Sequence, residues 1–487
     1  MSQAQFSNSS YFSSRPREAS LLPLAPVRQI TPPAQALLQL PQPCPQPFKD
    51  IISDVRLDCW TRSTHVYPAA YPRSLSGSSV HDAVLPKYPK SISPVDIAQD
   101  IRARNLGAQR RMDVNGQVDE PQLFIAVARY FINSEFEDHR SASSAEDEDP
   151  VTLILVHANS FHKETWEPML AHLLVSPVGR KIREVWAVDG PQYGDSAVIN
   201  LPNLGLSVDG GDFARDLLNL ILFYLPDESF CRSENIPVVL PQLECPISSF
   251  ALLDQSPLPA QLSKPIHWRN RKLGLIGHSM GGTIAALAAT SIPELFHYVI
   301  LLDPVMSSLE NFSFRHLAHL LLSAIRRREQ WENSEMAWKS FQGGQNFFGL
   351  CDPPVLRRYV QYALKSDRPT ELKCNKLHEA SASTDAQNRV SQAYLRLLDC
   401  YKDGHEPPFN LSLILANTNE STFPEKNLRQ NPFLTQEKLA VRHASLRHLM
   451  IQENPRHVAS LISQSLMKRS HHAQSFQDEF HNLISKL

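Results

Sequence analysis

Lys272-Leu273-Gly274-Leu275-Ile276-Gly277-His278-Ser279-Met280-Gly281-Gly282-Thr283-Ile284-Ala285-Ala286-Leu287 is the stretch whose reading decides the fold. Its first five residues read as a short buried strand, and Thr283 to Thr290 as alanine-rich helix. Between them Gly277-His278-Ser279-Met280-Gly281 has the G-x-S-x-G form of a nucleophile elbow, a strained strand-to-helix turn that presents a serine hydroxyl. The turn brings backbone segments so close that the residues two before and two after the serine must be tiny, hence glycine at both places.

Outward from the elbow, strands and helices alternate. Val151 to Val156 reads as a buried strand and Thr165 to Leu174 as a helix; Val185 to Val188 reads as a strand and Phe213 to Leu225 as an amphipathic helix. After the elbow come the strand Tyr298 to Leu302, the strand Leu411 to Ala416 and a last core helix, His457 to Met467. Such alternation predicts an α/β fold, a mostly parallel sheet flanked by helices. Upstream, Val55 to Trp60 and Leu123 to Phe131 read as strands that pair at one edge before the parallel part begins. Residues 306–408 break the alternation with helical runs such as His316 to Arg328 and Val355 to Leu364, and are expected to form a helical cap. The core is then expected in two parts, 47–305 and 409–484, with residues 226–270, rich in Pro, Ser and charge, as a surface insertion.

At 487 residues and 42% hydrophobic content, the chain can bury one large core plus an excursion. A net charge of −2 excludes a global field that would recruit nucleic acid or anionic membrane. No apolar run approaches the ~18 residues a membrane span needs. The seven cysteines (Cys44, Cys59, Cys231, Cys245, Cys351, Cys374, Cys400) are scattered and odd in number, without a C-x-x-C pair. That suits a reducing compartment and calls for neither a disulfide framework nor a zinc site; no metal and no cofactor are read. Residues 1–46 are Pro- and Ser-rich and are expected to bury little and stay disordered. Their arginines and few acids resemble a transit peptide, but the prolines break up any amphipathic helix. The sequence closes on Ser485-Lys486-Leu487, the tripeptide read by the peroxisomal import receptor.

A serine hydroxyl attacks well only if a base removes its proton, and that base needs an orienting acid. Asp303 follows the strand after the elbow helix, at the edge where sites of open parallel sheets are built. Glu420, after the next strand, is the rival acid. His448, on the loop before the final helix, is the chosen base, with His443 its competitor. An oxyanion hole needs two backbone N–H groups. Met280 supplies one, and the loop His157-Ala158-Asn159-Ser160-Phe161 the other, with Asn159 preferred and Ser160 close behind.

His157 to Glu164, the elbow, Leu301-Leu302-Asp303-Pro304-Val305 and Cys351 to Leu356 together resemble a fungal peroxisomal α/β-hydrolase family of toxin and secondary-metabolite biosynthesis. The resemblance covers roughly residues 48–470 and implies the α/β-hydrolase fold, with Asp303 as the acid and a histidine in the context of His448. The chain departs from the family by serine at 160, where glycine is usual, by Cys351, where tryptophan is usual, and by the 226–270 insertion.

The resulting expectation is a peroxisomal serine hydrolase. It would cleave an acyl thioester such as an acyl-CoA, or an ester, through an acyl-enzyme on Ser279, with the acyl part admitted under the cap. A serine nucleophile argues against epoxide hydrolase and haloalkane dehalogenase chemistry, whose enzymes carry aspartate there. A lipase or carboxylesterase with the same residues is the enzymatic alternative, and a non-catalytic binding protein the other. Arg326-Arg327-Arg328 and Arg357-Arg358 read as solvated helix faces, with contact to CoA phosphates as the alternative.

Overall fold

Along the strand Val151–Val156, Ile154 and Val156 enter one apolar cluster while Leu153 and Leu155 enter another, as the two-residue period of a strand covered on both faces requires. The computed structural model describes residues 45–49, 51–108, 119–133, 150–226, 236–243, 271–308, 314–343, 347–365, 369–402, 405–417, 421–423 and 439–467, together with a few residues between 21 and 40.

In chain order the described strands are β1 (Gln46–Pro47), β2 (Trp60–Pro68), β3 (Phe124–Ile132), β4 (Val151–Val156), β5 (Ile182–Val188), β6 (Lys272–His278), β7 (Tyr298–Leu302), β8 (Gln330–Trp331), β9 (Thr370–Glu371), β10 (Asn410–Leu415) and β11 (Leu439–His443). The helices are α1 (Ala34–Leu37), α2 (Pro94–Gly107), α3 (Glu167–Leu174), α4 (Gly194–Asn200), α5 (Gly210–Asn219), α6 (Met280–Ser291), α7 (Phe314–Arg326), α8 (Ser334–Gln342), α9 (Pro353–Ala363), α10 (Lys376–Ala382), α11 (Arg389–Asp399), α12 (Met450–Glu453) and α13 (Pro455–Met467).

Nine of these strands form one sheet in the order β1-β2-β3-β5-β4-β6-β7-β10-β11. The first three pair antiparallel, β3 pairs antiparallel with β5, and from β5 to β11 every pairing is parallel. Helices α5, α6 and α11 cover one face and α3 and α13 the other. The sheet is therefore the mostly parallel, helix-flanked one that the alternation calls for.

The remaining helices between β7 and β10 pack apart from the sheet. Trp331, Phe341, Phe348, Leu356 and Tyr359 form a separate core that also takes in Ala158 and Phe161 of the loop after β4. Leu321 and Ile325 of α7 and Leu377 and Ala380 of α10 pack on Ala98 and Ile101 of α2.

Three local expectations change. The edge strand begins at Trp60, not Val55, because Asp54 caps a 3-10 turn by accepting from the Arg56 N–H at 3.0 Å and Val55 is 82% exposed. Within the expected surface insertion, Val238 and Leu240 bond to the backbone of Val66 along β2, and Leu240 is buried. This apolar run covers open edge that a sheet cannot leave bare at no risk. In the N-terminal segment, the described Leu21, Leu22, Leu24 and Leu40 are buried, against the expectation that it buries little; most of that segment and Ser485-Lys486-Leu487 lie outside the described residues.

Candidate active site

Strand register brings the candidate loops to one edge. Val156 of β4 lies opposite Gly277 of β6, His278 opposite Leu302 of β7, and Leu302 opposite Ile414 of β10. The residues that follow, namely His157 to Phe161, Ser279, Asp303 and the loop after Leu415, therefore emerge side by side at the carboxyl ends of parallel strands, where open α/β sheets place their sites.

Ser279 sits between β6 and α6 with φ 56° and ψ −121°, a left-handed region that non-glycine residues rarely enter. Strain of this kind persists only where the surroundings hold it. Here the Ser279 N–H donates to the Leu302 carbonyl at 3.0 Å, and the Ser279 carbonyl accepts from Gly282, Thr283 and Val305. The elbow glycines are required by contact. A Cβ on Gly277 would lie 2.3 Å from the Gly281 carbonyl oxygen, and one on Gly281 2.3 Å from that of Val156.

The Ser279 Oγ lies 2.8 Å from His448 Nε2, and His448 Nδ1 lies 2.6 Å from Asp303 Oδ2. Asp303 is fully buried and its carboxylate can only accept, so Nδ1 carries the proton and Nε2 accepts from the serine hydroxyl. Asp303 also accepts from Ser421 Oγ at 2.5 Å, the Thr422 N–H at 3.0 Å and the Ala416 N–H at 3.1 Å. Burial works against its charge. The hydrogen bond and charge of His448, with the Ser421 and Thr422 donors, outweigh burial and hold the carboxyl below its ordinary range.

His278, the residue before the serine, donates from Nε2 to the His448 carbonyl at 2.9 Å. Burial, reinforced by the neighbouring His448, lowers its pKa to about 3, so it stays neutral.

The loop after β4 is clamped from below. The Lys163 ammonium is fully buried and lies 2.9 Å from Asp189, 2.5 Å from Asp195 and 2.9 Å from Glu164, while the Lys163 N–H donates to Asp189 at 2.8 Å. Asn159 Oδ1 accepts from the Tyr193 hydroxyl at 2.7 Å and from the Ser160 N–H at 2.9 Å. Met280 is the first residue of α6, so its N–H has no acceptor within the helix.

An open cleft is lined by Ser279, Met280 and Asn159. Leu123, Phe213, Ile284, Val305 and Leu317 give it an apolar wall, and Arg73, Ser78, Asp209, Asp385 and Arg389 a polar one.

Of the residues singled out in the sequence, Ser279, Asp303 and His448 thus come together in one hydrogen-bonded line, and Met280 and Asn159 join Ser279 at the cavity. Ser160 does not line it, and its N–H is engaged by Asn159. Glu420 lies outside the described residues; His443 lies on β11, and its side chain is likewise outside them. Arg327 pairs with Glu379 and Arg358 with Glu167, whereas Arg326, Arg328 and Arg357 are exposed. Sequence reasoning passed over His278, Ser421, Thr422, Tyr193 and Lys163. Only the Ser421-Thr422 pair, in the loop after an expected strand, carried a signal that could have found it.

Among known proteins, the chain is 26% identical over 227 residues to a type I acyl-CoA thioesterase of Penicillium brevicompactum, 46% of this chain and 42% of that protein. It is 27% identical over 158 residues to a peroxisomal membrane protein of Saccharomyces cerevisiae, 32% of this chain and 31% of that protein. The chain spans less than half the length of these curated relatives. A solved peroxisomal alpha-beta-hydrolase of Saccharomyces cerevisiae superposes with a TM-score of 0.54 at 17% identity, over 88% of this chain and 99% of that one, which speaks for the fold. The profile of the alpha/beta hydrolase family matches residues 153–461, the span that holds the elbow, Asp303 and His448 alike. On that match and on the sheet that carries these loops, the chain belongs to the alpha/beta hydrolase family.

Proposed function

We propose that the protein is a serine hydrolase that cleaves an acyl thioester, such as an acyl-CoA, or an ester through an acyl-enzyme on Ser279. The observation that carries this reading is the continuous line from Ser279 Oγ through His448 to the buried Asp303, at 2.8 and 2.6 Å. Ser279 Oγ attacks the substrate carbonyl carbon as His448 Nε2 takes its proton, and Asp303 stabilises the imidazolium that forms. The negative charge that develops on the carbonyl oxygen is met by the N–H groups of Met280 and Asn159. Asn159 is favoured over Ser160, whose N–H already donates to the Asn159 side chain.

Collapse breaks the bond to the thiolate or alkoxide, which takes the proton from His448 as it leaves. A water then gives its proton to His448 and attacks the acyl-enzyme; a second collapse frees the acid and returns the proton to Ser279. The acyl part occupies the cavity, whose apolar wall includes Phe213, Ile284, Val305 and Leu317. Helices α7 to α10 act as its cap, whereas α11, within the expected cap range 306–408, packs on the sheet.

The thioester preference is supported by the name of the Penicillium relative. A peroxisomal site of action is supported by the description of the yeast relative. A place in secondary-metabolite or toxin biosynthesis is supported by the resemblance of the motifs alone.

The test is turnover of acyl-CoAs and simple esters across chain lengths, with Ser279→Ala as the control. Hydrolysis that vanishes in Ser279→Ala supports the reading. Absence of turnover on both substrate classes, with no labelling by a fluorophosphonate, leaves a binding protein in its place.

A further inference from the structure

Ser160 has φ 73°, in the left-handed region that favours glycine. A side chain there is tolerated only if neighbours hold it. Its hydroxyl donates to Glu379 Oε1 at 2.5 Å, across more than two hundred residues of sequence. Glu379 lies on α10, 4% exposed, and its carboxylate also pairs with Arg327, which follows α7. Two more bonds tie the same loop to the same helix, from Asn159 Nδ2 to the Glu379 carbonyl at 3.2 Å and to Ser383 Oγ at 2.8 Å. The loop that carries Asn159 to the cavity is thus fastened on one side to the insertion between β7 and β10, and on the other to Tyr193.

We infer that Glu379 is a positioning residue for the reaction, a latch by which the helical insertion holds the strained Ser160 and with it the oxyanion loop. This rests on the acyl-enzyme reading above. The latch answers a specific need, since glycine at 160 would adopt the same angle unaided, whereas serine needs a partner for its hydroxyl and a restraint on its backbone. The Arg327 guanidinium pairs with that partner and fixes its carboxylate, so the loop has its reactive shape only while α10 is docked.

The experiment is a double-mutant cycle read in steady-state kinetics. Ser160→Ala keeps the Cβ that makes the angle costly and loses the latch; Glu379→Ala removes the latch from the other side. Each should lower kcat about 10- to 100-fold with KM changed less than about threefold, somewhat less than deletion of an oxyanion donor outright. Glu379→Gln, which leaves an acceptor for Ser160, should retain part of kcat. In a Ser160→Gly background the further loss on Glu379→Ala should shrink to less than about threefold.

Equal losses in the serine and glycine backgrounds, losses confined to KM, or an unchanged kcat in Glu379→Ala would overturn the latch while leaving the serine mechanism standing. If Glu379→Ala strands Arg327 and does not fold, Ser160→Ala against Ser160→Gly decides alone: the latch requires the alanine variant to be the slower. A wild-type enzyme that neither turns over nor labels with fluorophosphonate fells the acyl-enzyme reading, and the latch with it.

Discussion

His278 donates through Nε2 to the backbone carbonyl of His448 at 2.9 Å, so the residue before the nucleophile holds the residue that would deprotonate it. His278→Ala should therefore lower kcat about 10- to 100-fold by loosening His448, with the protein still folded. His278→Gln, which keeps a donor, should be milder. Steady-state kinetics on both variants checks the order.

The same residue makes a pH prediction whose sign is fixed. Its folded pKa is lowered from 6.5 to about 3, so between those values the unfolded chain binds a proton that the native protein does not. The stability contributed by neutral His278 is present above pH 6.5 and is lost as pH falls. The stability of the wild type relative to His278→Gln should fall by up to about 1.4 kcal/mol per pH unit below 6.5. Urea titrations of both proteins at pH 7 and pH 5 measure it.

Asp303→Asn should cost about 10⁴ in turnover, the size of effect seen when the orienting acid of a serine protease is amidated. The amide no longer stabilises the imidazolium, and an N–H facing Nδ1 favours the wrong tautomer. Glu420→Gln should leave turnover within about twofold of the wild type, because Asp303 already occupies Nδ1 of His448. Side-by-side kinetics, with circular dichroism to confirm folding, separates the two.

Lys163→Met should destabilise the fold by about 3–5 kcal/mol, because it leaves the buried carboxylates of Asp189, Asp195 and Glu164 without their shared cation. Thermal unfolding measures the loss. The loop that bears Asn159 should become protease-sensitive at the same time.

Gly281→Ala should yield little folded protein, since the new Cβ would lie 2.3 Å from the Val156 carbonyl oxygen and 2.5 Å from that of His157. Both are backbone atoms that cannot swing aside. The soluble yield and the circular dichroism spectrum report the outcome.

What could be read in the sequence was local. The elbow announced itself because a turn of that shape demands glycine at both Gly277 and Gly281 within five residues, and the apolar runs around it set the sheet. Asp303 was singled out by its place after a strand; position alone did not separate His448 from His443, and the resemblance of the motifs favoured His448. The register Val156 to Gly277 and His278 to Leu302 then explains why such distant residues converge.

Partners chosen only by folding were scarcely legible, and the place of Ser421-Thr422 after an expected strand did not say which residue they would hold. Ser421 and Thr422 hold Asp303 from a loop more than a hundred residues away, and Glu379 meets Ser160 from farther still. Helix α2 went unread because Pro94–Gly107 has no clear apolar stripe, burying only Ala98, Ile101 and Asn105. At Val55 the apolar alternation imitated a strand, while the Asp54 cap made a turn.

The central claim is that Ser279 is the nucleophile, and the most direct measurement is the mass of the peptide that carries it after treatment with a fluorophosphonate. The predicted result is one phosphonyl adduct on Ser279, formed quickly by the wild type and far more slowly by His448→Ala. An unlabelled protein, or an adduct that maps to another residue, would contradict it.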